Sequence, residues 1–335
     1  MWCWLLRWAI GGATLAGIAA GGLYIYLQQR IPNGEAVECW IPPGSRTRTA
    51  LGIAASCCQL RFPELFVAIG TVHAFVTRSH TYAGTYRFGP GTRYSHLLQA
   101  LFSGRQVLRV RVTIPEGLTI TQIASLLQQQ AGVDSAQFVA AAFSDSLARL
   151  RGAPIPSLEG YLMPETYELF WRHPAREVLE RLLREQDQRW QERFAARARQ
   201  RGLSRHETLT LASIIEAESP HSDERRRISG VFWNRLRRGM PLQADPTTAY
   251  ALGKPGQPLA RSELSTTHPY NTYAISGLPP GPINNPSADA IAATLEPEEH
   301  EFLYFVLVRD GSRRHLFSRT YREHLRASTL QQRNP

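Results

Sequence analysis

Between Arg7 and Arg30 the chain carries no charged side chain, and Trp8 to Leu27 is almost wholly apolar. Coiled as a helix, a run of that length matches the hydrocarbon thickness of a bilayer. Trp2, Trp4 and Trp8 lead into it and Tyr24 and Tyr26 close it, which is the distribution of an interfacial aromatic belt. The expectation is an uncleaved membrane anchor. A secretory signal cleaved among the small residues around Gly17 to Gly22 is the rival. Charge orients the run only weakly, because Arg30 is offset by Glu35 and Glu38.

Beyond that run, a chain of 335 residues has room for two or three domains. Its hydrophobic and charged fractions, 43% and 20%, are those of a protein that buries a core. The net charge of +10 comes from Arg far more than Lys and suits anionic partners: nucleic acid, lipid headgroups or an acidic polymer. No zinc-finger spacing, homeodomain-like helix or paired RNA-binding aromatics appear, so no nucleic-acid partner is expected. Of the four cysteines, Cys39 can pair with Cys57 or Cys58 in an oxidising compartment, and the spacing does not choose. No C-x-x-C pair offers a structural zinc site. Neither G-x-S-x-G nor H-E-x-x-H is present, which removes the commonest serine-hydrolase and metalloprotease signatures.

In chain order, Ile31 to Gly44 reads as a short tether. Short strands and helices come next, with a helix over Leu65 to Ala74 and a strand that puts Val110, Val112 and Ile114 on one face. Gln137 to Leu150 reads as a helix and Ala153 to Pro156 as an interdomain turn. Arg176 to Gln200 reads as a long charged helix buried through Val178, Leu182, Leu183, Trp190 and Phe194. The segment Leu203 to Pro246 is the one place where carboxylates sit inside an apolar helical pattern. Ser204 and Glu207 form a capping box, Leu209, Leu211, Ala212, Ile214 and Ile215 recur at helical spacing, and Pro220 argues for a stop. Glu218 projects among Leu211, Ile214 and Ile215, whereas Glu216 points the other way. A carboxyl desolvated at such a helix end has a raised pKa and can donate a proton near neutral pH; the plainer alternative is a solvated last turn.

In Glu224 to Gly239 the stripe Ile228, Val231, Phe232 and Leu236 reads as core, with Glu224 and its arginines as surface pairs of little worth. Gln243, Asp245 and Thr247 lie in a Pro-flanked loop. Thr266 to Pro286 is a long loop rich in Pro, Gly, Asn and aromatics, of the kind that usually has a function. In it Asn271 offers an amide for hydroxyl and N-acetyl groups, and Tyr270 and Tyr273 offer flat faces for sugar rings. The chain closes with a helix over Ala288 to Leu295, a buried strand through Phe305 and Leu307, and His315 and His324 in structural roles.

The phrases LASIIEAES, VFWNRL, GMPLQADPT, HPYNTY and GLPPGPINNPS, with EGYLMPETY at Glu159 to Tyr167, resemble the YceG-like family of endolytic murein transglycosylases. Ala217, His268 and Ser287 depart from the usual pattern without touching the acid. TIPEGLTITQIASLLQ is similar to LysM-like peptidoglycan-binding modules. The resemblance implies an α+β fold: a single N-terminal transmembrane helix, a LysM-like strand-turn-helix module and a mixed α+β catalytic domain. The implied division is a cytoplasmic segment 1–7, an anchor 8–27, a tether and N-terminal α+β region 28–107, the module 108–155 and a catalytic domain 156–335.

By the resemblance the family's catalytic glutamate falls on Glu218; Gln243, Asp245, Asn271 and Tyr273 are expected as substrate contacts from their side chains and their place in loops. Neither metal nor organic cofactor is implied. The implied substrate is peptidoglycan glycan strands, cut between MurNAc and GlcNAc outside the cytoplasmic membrane with the N-terminus inside. A peptidoglycan synthase is the natural protein partner, since the family couples cutting to strand synthesis. Three rivals stand beside this reading: a hydrolytic muramidase in which Asp245 or Glu216 activates water, a membrane-tethered peptidoglycan-binding protein without catalysis, and a basic membrane-tethered partner for nucleic acid, which the missing motifs disfavour.

Overall fold

The computed structural model describes residues 17–333. Residues 8–16 of the expected anchor therefore lie outside the described residues. What is seen of it is helix α1 over 17–28, and no described helix is long and apolar enough to cross a membrane. The chain is mixed α+β, mostly helical, with three two-stranded sheets among the described residues. It divides into two compact units: residues up to Val110 with Glu168–His173, and Arg111–Tyr167 with Pro174 onward.

In the first unit, β1 (Val37–Ile41) and β2 (Gly84–Phe88) pair antiparallel, from Val37 opposite Phe88 to Ile41 opposite Gly84. Helices α2 (Thr47–Cys57) and α3 (Pro63–Thr77) lie between them in sequence, and α4 (Tyr94–Ser103) comes after β2. The strands are too short to be stable alone; burial of Leu51, Phe66, Tyr86, Phe88, Tyr94, Leu97 and Leu101 in one core holds them. Gly70 lets α3 sit tight on α2, since a Cβ there would lie 2.6 Å from Leu51. Cys39 is bonded to Cys57, tying β1 to the last turn of α2, and Cys58 is a free buried thiol. Closing that loop stabilises the unit by about 3 kcal/mol in the chain-entropy picture. The expected tether is fastened at its start: Ile31 N–H donates to Thr92 O, Tyr94 N–H to Gln29 O, and Arg30 bridges Arg93.

Strands β3 (Arg109–Thr113) and β4 (Thr166–Phe170) pair, and the unit boundaries fall inside both. Val112 and Ile114 are buried as their alternation requires. In the second unit come α5 (Ile120–Ala131), α6 (Ser135–Ala142) and α7 (Asp145–Leu150). The expected single helix over 137–150 is thus broken at Phe143 and Ser144, where the Ser144 and Ser146 hydroxyls pair. No unit boundary falls near 155; Leu158 N–H donates to Ala142 O, and 111–155 packs in the same unit as the helices from Pro174 onward. Helix α8 (Ala175–Arg189) runs through a π-helical turn (Trp190–Phe194) into α9 (Ala195–Arg201), burying all five expected apolar side chains. Then come α10 (Arg205–Glu218), α11 (Arg225–Arg237), α12 (Asp245–Ala251) and α13 (Ala288–Leu295). An antiparallel hairpin of β5 (Tyr304–Leu307) and β6 (His315–Ser318) precedes α14 (Tyr321–Arg333). Helix α10 is buried on every side from Thr208 to Ile215, so it is the axis of this unit and not a surface helix.

Candidate active site

Helix α10 starts with the capping box its sequence announces: Ser204 Oγ accepts from Glu207 N–H and the Glu207 carboxylate accepts from Ser204 N–H. It stops at Glu218, where Ser219 turns extended and Pro220 forbids continuation. Glu216 and Glu218 are two residues apart, so the helix sends them in nearly opposite directions. Glu216 is fully committed. It accepts from Arg225 Nη2 at 2.6 Å, Ser287 N–H at 2.9 Å and Ser287 Oγ at 2.5 Å, inside the protein. Arg225 is therefore half of a buried ion pair and not a surface charge. The same loop is stitched along this side of α10 by Ile283 N–H to Ser213 Oγ and Asn284 Nδ2 to Ser213 O.

Glu218 faces a cavity of about 440 Å³. Among the described residues no hydrogen bond or ion pair engages its carboxyl. One wall is the loop into α12, with Leu242, Gln243 and Asp245, and Tyr273 beside it. The other comes from the chain's last segments: Tyr304 to Leu307 of β5, His315 of β6, and Tyr321 and His324 of α14. This wall is latched to the turn just after α10. The His315 Nδ1–H donates to Glu224 at 2.9 Å, Arg314 pairs with Asp223 at 2.8 Å, and His221 Nε2–H donates to Ser312 O at 2.7 Å. Glu224, expected at the surface, is buried by this latch. The β5 strand, expected to be buried, is a half-open wall: Leu307 is 46% exposed.

Desolvation pushes the Glu218 carboxyl up to about 8; the negative Asp245 adds to this and the Arg235 guanidinium opposes it. Arg235 is itself buried, held by Leu303 O, Pro241 O, Leu242 O and Gln243 Oε1 and stacked on Tyr304. It is a fixed cation at the cavity wall. Asp245 accepts a 2.5 Å hydrogen bond from Tyr273 OH, and burial with that carboxylate raises the phenol above its usual range. Gln243 holds a left-handed backbone at φ 51°, unusual for a residue with a side chain and costly outside sites that need it.

The structure thus brings Glu218, Gln243, Asp245 and Tyr273 to one cavity. It does not bring Asn271 there. That amide is fully buried, donating to Leu264 O and Thr266 O and accepting from Thr248 Oγ1 and Tyr273 N–H, so it shapes the loop that carries Tyr273. Tyr270 lines a different depression with Tyr250 and His268. Sequence reading did not pick out Arg235, Tyr304 or Tyr321, and it gave His315 and His324 no part in a cavity. Only the arginine's position inside an apolar helical stripe could have signalled one of them. Among the described residues no group of three or more His, Cys, Asp or Glu side chains could hold a metal.

A second carboxyl in this unit is also raised to about 8 by burial, but it is satisfied. Glu159 accepts from Ile120 N–H at the start of α5 (3.0 Å), Asn285 Nδ2 (2.9 Å) and Tyr250 OH (3.4 Å). Asn285 in turn binds Leu118 O and Leu162 N–H. This is a polar staple joining three segments.

Glu218 thus has no hydrogen-bond partner among the described residues, at the end of a buried helix and on a cavity wall with a second carboxylate and a fixed cation. The chain belongs to the YceG-like family, whose model matches residues 41–329. It is 31% identical over 259 residues to the endolytic murein transglycosylase of Bacillus subtilis, covering 73% of this chain and 71% of that one. It is 30% identical to the protein of the same name from Streptococcus pneumoniae, covering 87% of this chain and 59% of the relative. The crystal structure of a YceG-like protein from Listeria monocytogenes superimposes with a TM-score of 0.60 at 28% identity, over 88% of this chain and all of that one.

Proposed function

We propose that the chain is a membrane-anchored endolytic lytic transglycosylase that cuts the MurNAc–GlcNAc bond of peptidoglycan strands and ends strand elongation. The observation that carries this reading is the Glu218 carboxyl, desolvated and unengaged in its cavity while Glu216 beside it is spent on an ion pair. Protonated at neutral pH, Glu218 gives its proton to the glycosidic oxygen as the bond from that oxygen to MurNAc C1 breaks. The C6 hydroxyl of the same MurNAc then attacks C1 and returns its proton to Glu218. The product is a 1,6-anhydro end, and no water is consumed. Arg235 stabilises the carboxylate that exists between the two transfers, and Asp245, aligned by Tyr273, faces the oxocarbenium-like charge. Gln243 supplies an amide beside them.

The glycan module is proposed at 108–155 on the resemblance and on one physical feature. Between α5 and α6 lies a depression of about 550 Å³ lined by Ala124, Ala136, Val139 and Ala140 and by Thr121, Ser125, Gln128, Gln129 and Ser135, an apolar surface with hydroxyl and amide groups that a sugar could meet. Anchoring by 8–27, with the bulk of the chain outside the cytoplasmic membrane, belongs to the same proposal, as does a peptidoglycan synthase as partner.

Two carboxylates in one cavity also fit a hydrolase, with Asp245 activating water; Glu216 has no freedom for that task. Mass spectrometry of products from uncrosslinked glycan strands separates the readings. Anhydro ends, lost in Glu218→Gln, are expected. Reducing ends, one water heavier, would make the enzyme a hydrolase, and binding without cleavage would leave only a peptidoglycan-binding protein.

A further inference from the structure

The first unit carries an open apolar face that its own core does not use. Helix α3 packs one side on α2 through Phe66 and Gly70. Its other side presents Leu65, Ala68, Val72, Phe75 and Val76, spaced three or four apart, with Phe62 just before. Phe75 is 86% exposed, Val76 72%, Phe62 70% and Val72 63%, where isolated apolar residues on a water-facing helix would be unremarkable but a continuous stripe is not. From Leu65 to Thr77 no residue carries a fixed charge. The exposed hydroxyls in this stretch turn inward: Thr71 Oγ1 donates to Val67 O and Thr77 Oγ1 to His73 O, both at 2.7 Å. A protein partner would normally meet about one hydrogen bond per 100–200 Å² of interface. The stripe itself, Leu65, Ala68, Val72, Phe75 and Val76, has no side-chain donor or acceptor to offer.

The apolar run at the start of the chain says what covers the face. The last turn of α1 is built into this unit: Tyr26 is buried, and its hydroxyl donates to Arg61 O at 3.0 Å and Phe62 O at 2.8 Å, the residues that open α3. Tyr26 also packs edge-to-face on Tyr94, and the ladder between 29–31 and 92–94 leaves no slack after it. Farther along, Leu27 and residues Ile69 and His73 of α3 share an apolar groove of about 420 Å³ with Leu98 and Phe102 of α4. Exposed Arg61 and Arg78 bracket α3, placed for lipid phosphates while the stripe between them meets acyl chains.

We propose that α3 is a second membrane contact, lying in the headgroup region of the leaflet from which α1 emerges with Leu65, Val72, Phe75 and Val76 turned to the lipid. The proposal rests on the reading of 8–27 as an anchor. A helix of 15 residues is about 22 Å long, so the contact would press the unit onto the bilayer along α3 and not leave it swinging on a stalk.

The test uses the full chain, with Cys3→Ser, reconstituted in nanodiscs of phosphatidylethanolamine and phosphatidylglycerol. Nitroxides go on single cysteines at exposed positions: Val72→Cys and Phe75→Cys on the stripe, Ile18→Cys on α1, and Leu150→Cys in the second unit. Collision rates with oxygen, which concentrates in lipid, and with a water-soluble nickel chelate are compared. Expected are oxygen-dominated labels at 72, 75 and 18, and a nickel-dominated label at 150. Stripe labels as open to nickel as the one at 150 would overturn the proposal while leaving the anchor standing. Labels shielded from both reagents would overturn it in favour of a protein cover. A nickel-accessible label at 18 would sink the anchor reading itself and the contact with it.

Discussion

Glu159 and Glu218 share a unit and a raised pKa of about 8, yet one closes a staple and the other opens on a cavity. Burial is the main cause in both. The difference lies in what meets the carboxyl: three donors from three segments at Glu159, and no hydrogen bond among the described residues at Glu218. A shifted titration therefore marks burial, and only the missing partner together with a space for substrate marks a candidate acid. Glu216 sharpens the point from the other side, because it shares a helix turn with Glu218 and is wholly consumed by Arg225 and Ser287.

The largest effect expected from breaking the contrast is on rate. Glu218→Gln should lower cleavage of glycan strands on the order of 10²–10⁴-fold, the usual worth of a positioned acid–base group. Its unfolding free energy at neutral pH should rise and not fall, because the unfolded chain ionises Glu218 while the folded one keeps it protonated, a cost that a neutral amide does not carry. Denaturant melts beside product assays check both. Glu216→Ala should do the reverse to stability, costing about 3–5 kcal/mol by stranding the buried Arg225. A melt indistinguishable from the parent's would mean that the pair is solvated.

Glu159→Ala should cost about 1–3 kcal/mol by leaving the donors of Ile120 and Asn285 unpaired. Glu159→Gln should instead change the pH dependence of stability. The folded-state pKa of Glu159 is raised, so its contribution is full below the ordinary glutamate value of 4.5 and is lost as pH rises towards about 8. Removing the carboxyl flattens that slope, as urea midpoints measured from pH 4 to pH 9 would reveal. For activity, the acid limb of Glu218 should fall as pH rises through about 8. Asp245→Asn removes the charge that raises it and should move the limb to lower pH. Arg235→Met should move it higher. Limbs that stay in place would remove these neighbours from the electrostatics. Smallest of all, Tyr273→Phe should slow cleavage several-fold through a less well-held Asp245, with binding of uncut strands little changed.

Features set by neighbours in sequence were legible before the structure. The capping box at Ser204 and Glu207, the stop at Pro220 and helix α13 all arise from contacts within four residues, and the fold has them where the sequence puts them. The stripe Ile228, Val231 and Phe232 was equally plain, and all three are buried. What escaped was set by partners that no helical or strand periodicity brings together, from 9 residues apart for Arg225 and Glu216 to 91 for Glu224 and His315. Nothing local to Glu224 says that His315 will bury it, and nothing local to Arg225 predicts Glu216 as partner across a turn. Asn271 looks like a free amide in a polar loop until four groups, one of them Thr248 of α12, are found on it. The disulfide was half legible: Cys39 was a plausible member, but choosing Cys57 over its neighbour needed the end of α2 in three dimensions.

The wall formed by β5, β6 and α14 has a consequence in time. A chain is made from its N-terminus, so α10 and Glu218 exist well before residues 304–324 arrive to roof the cavity. Until the hairpin docks and His315 meets Glu224, one wall of that cavity is missing and its side is open to water. A nascent chain, or one shortened before Tyr304, would hold every residue proposed for the chemistry without the cavity that encloses them.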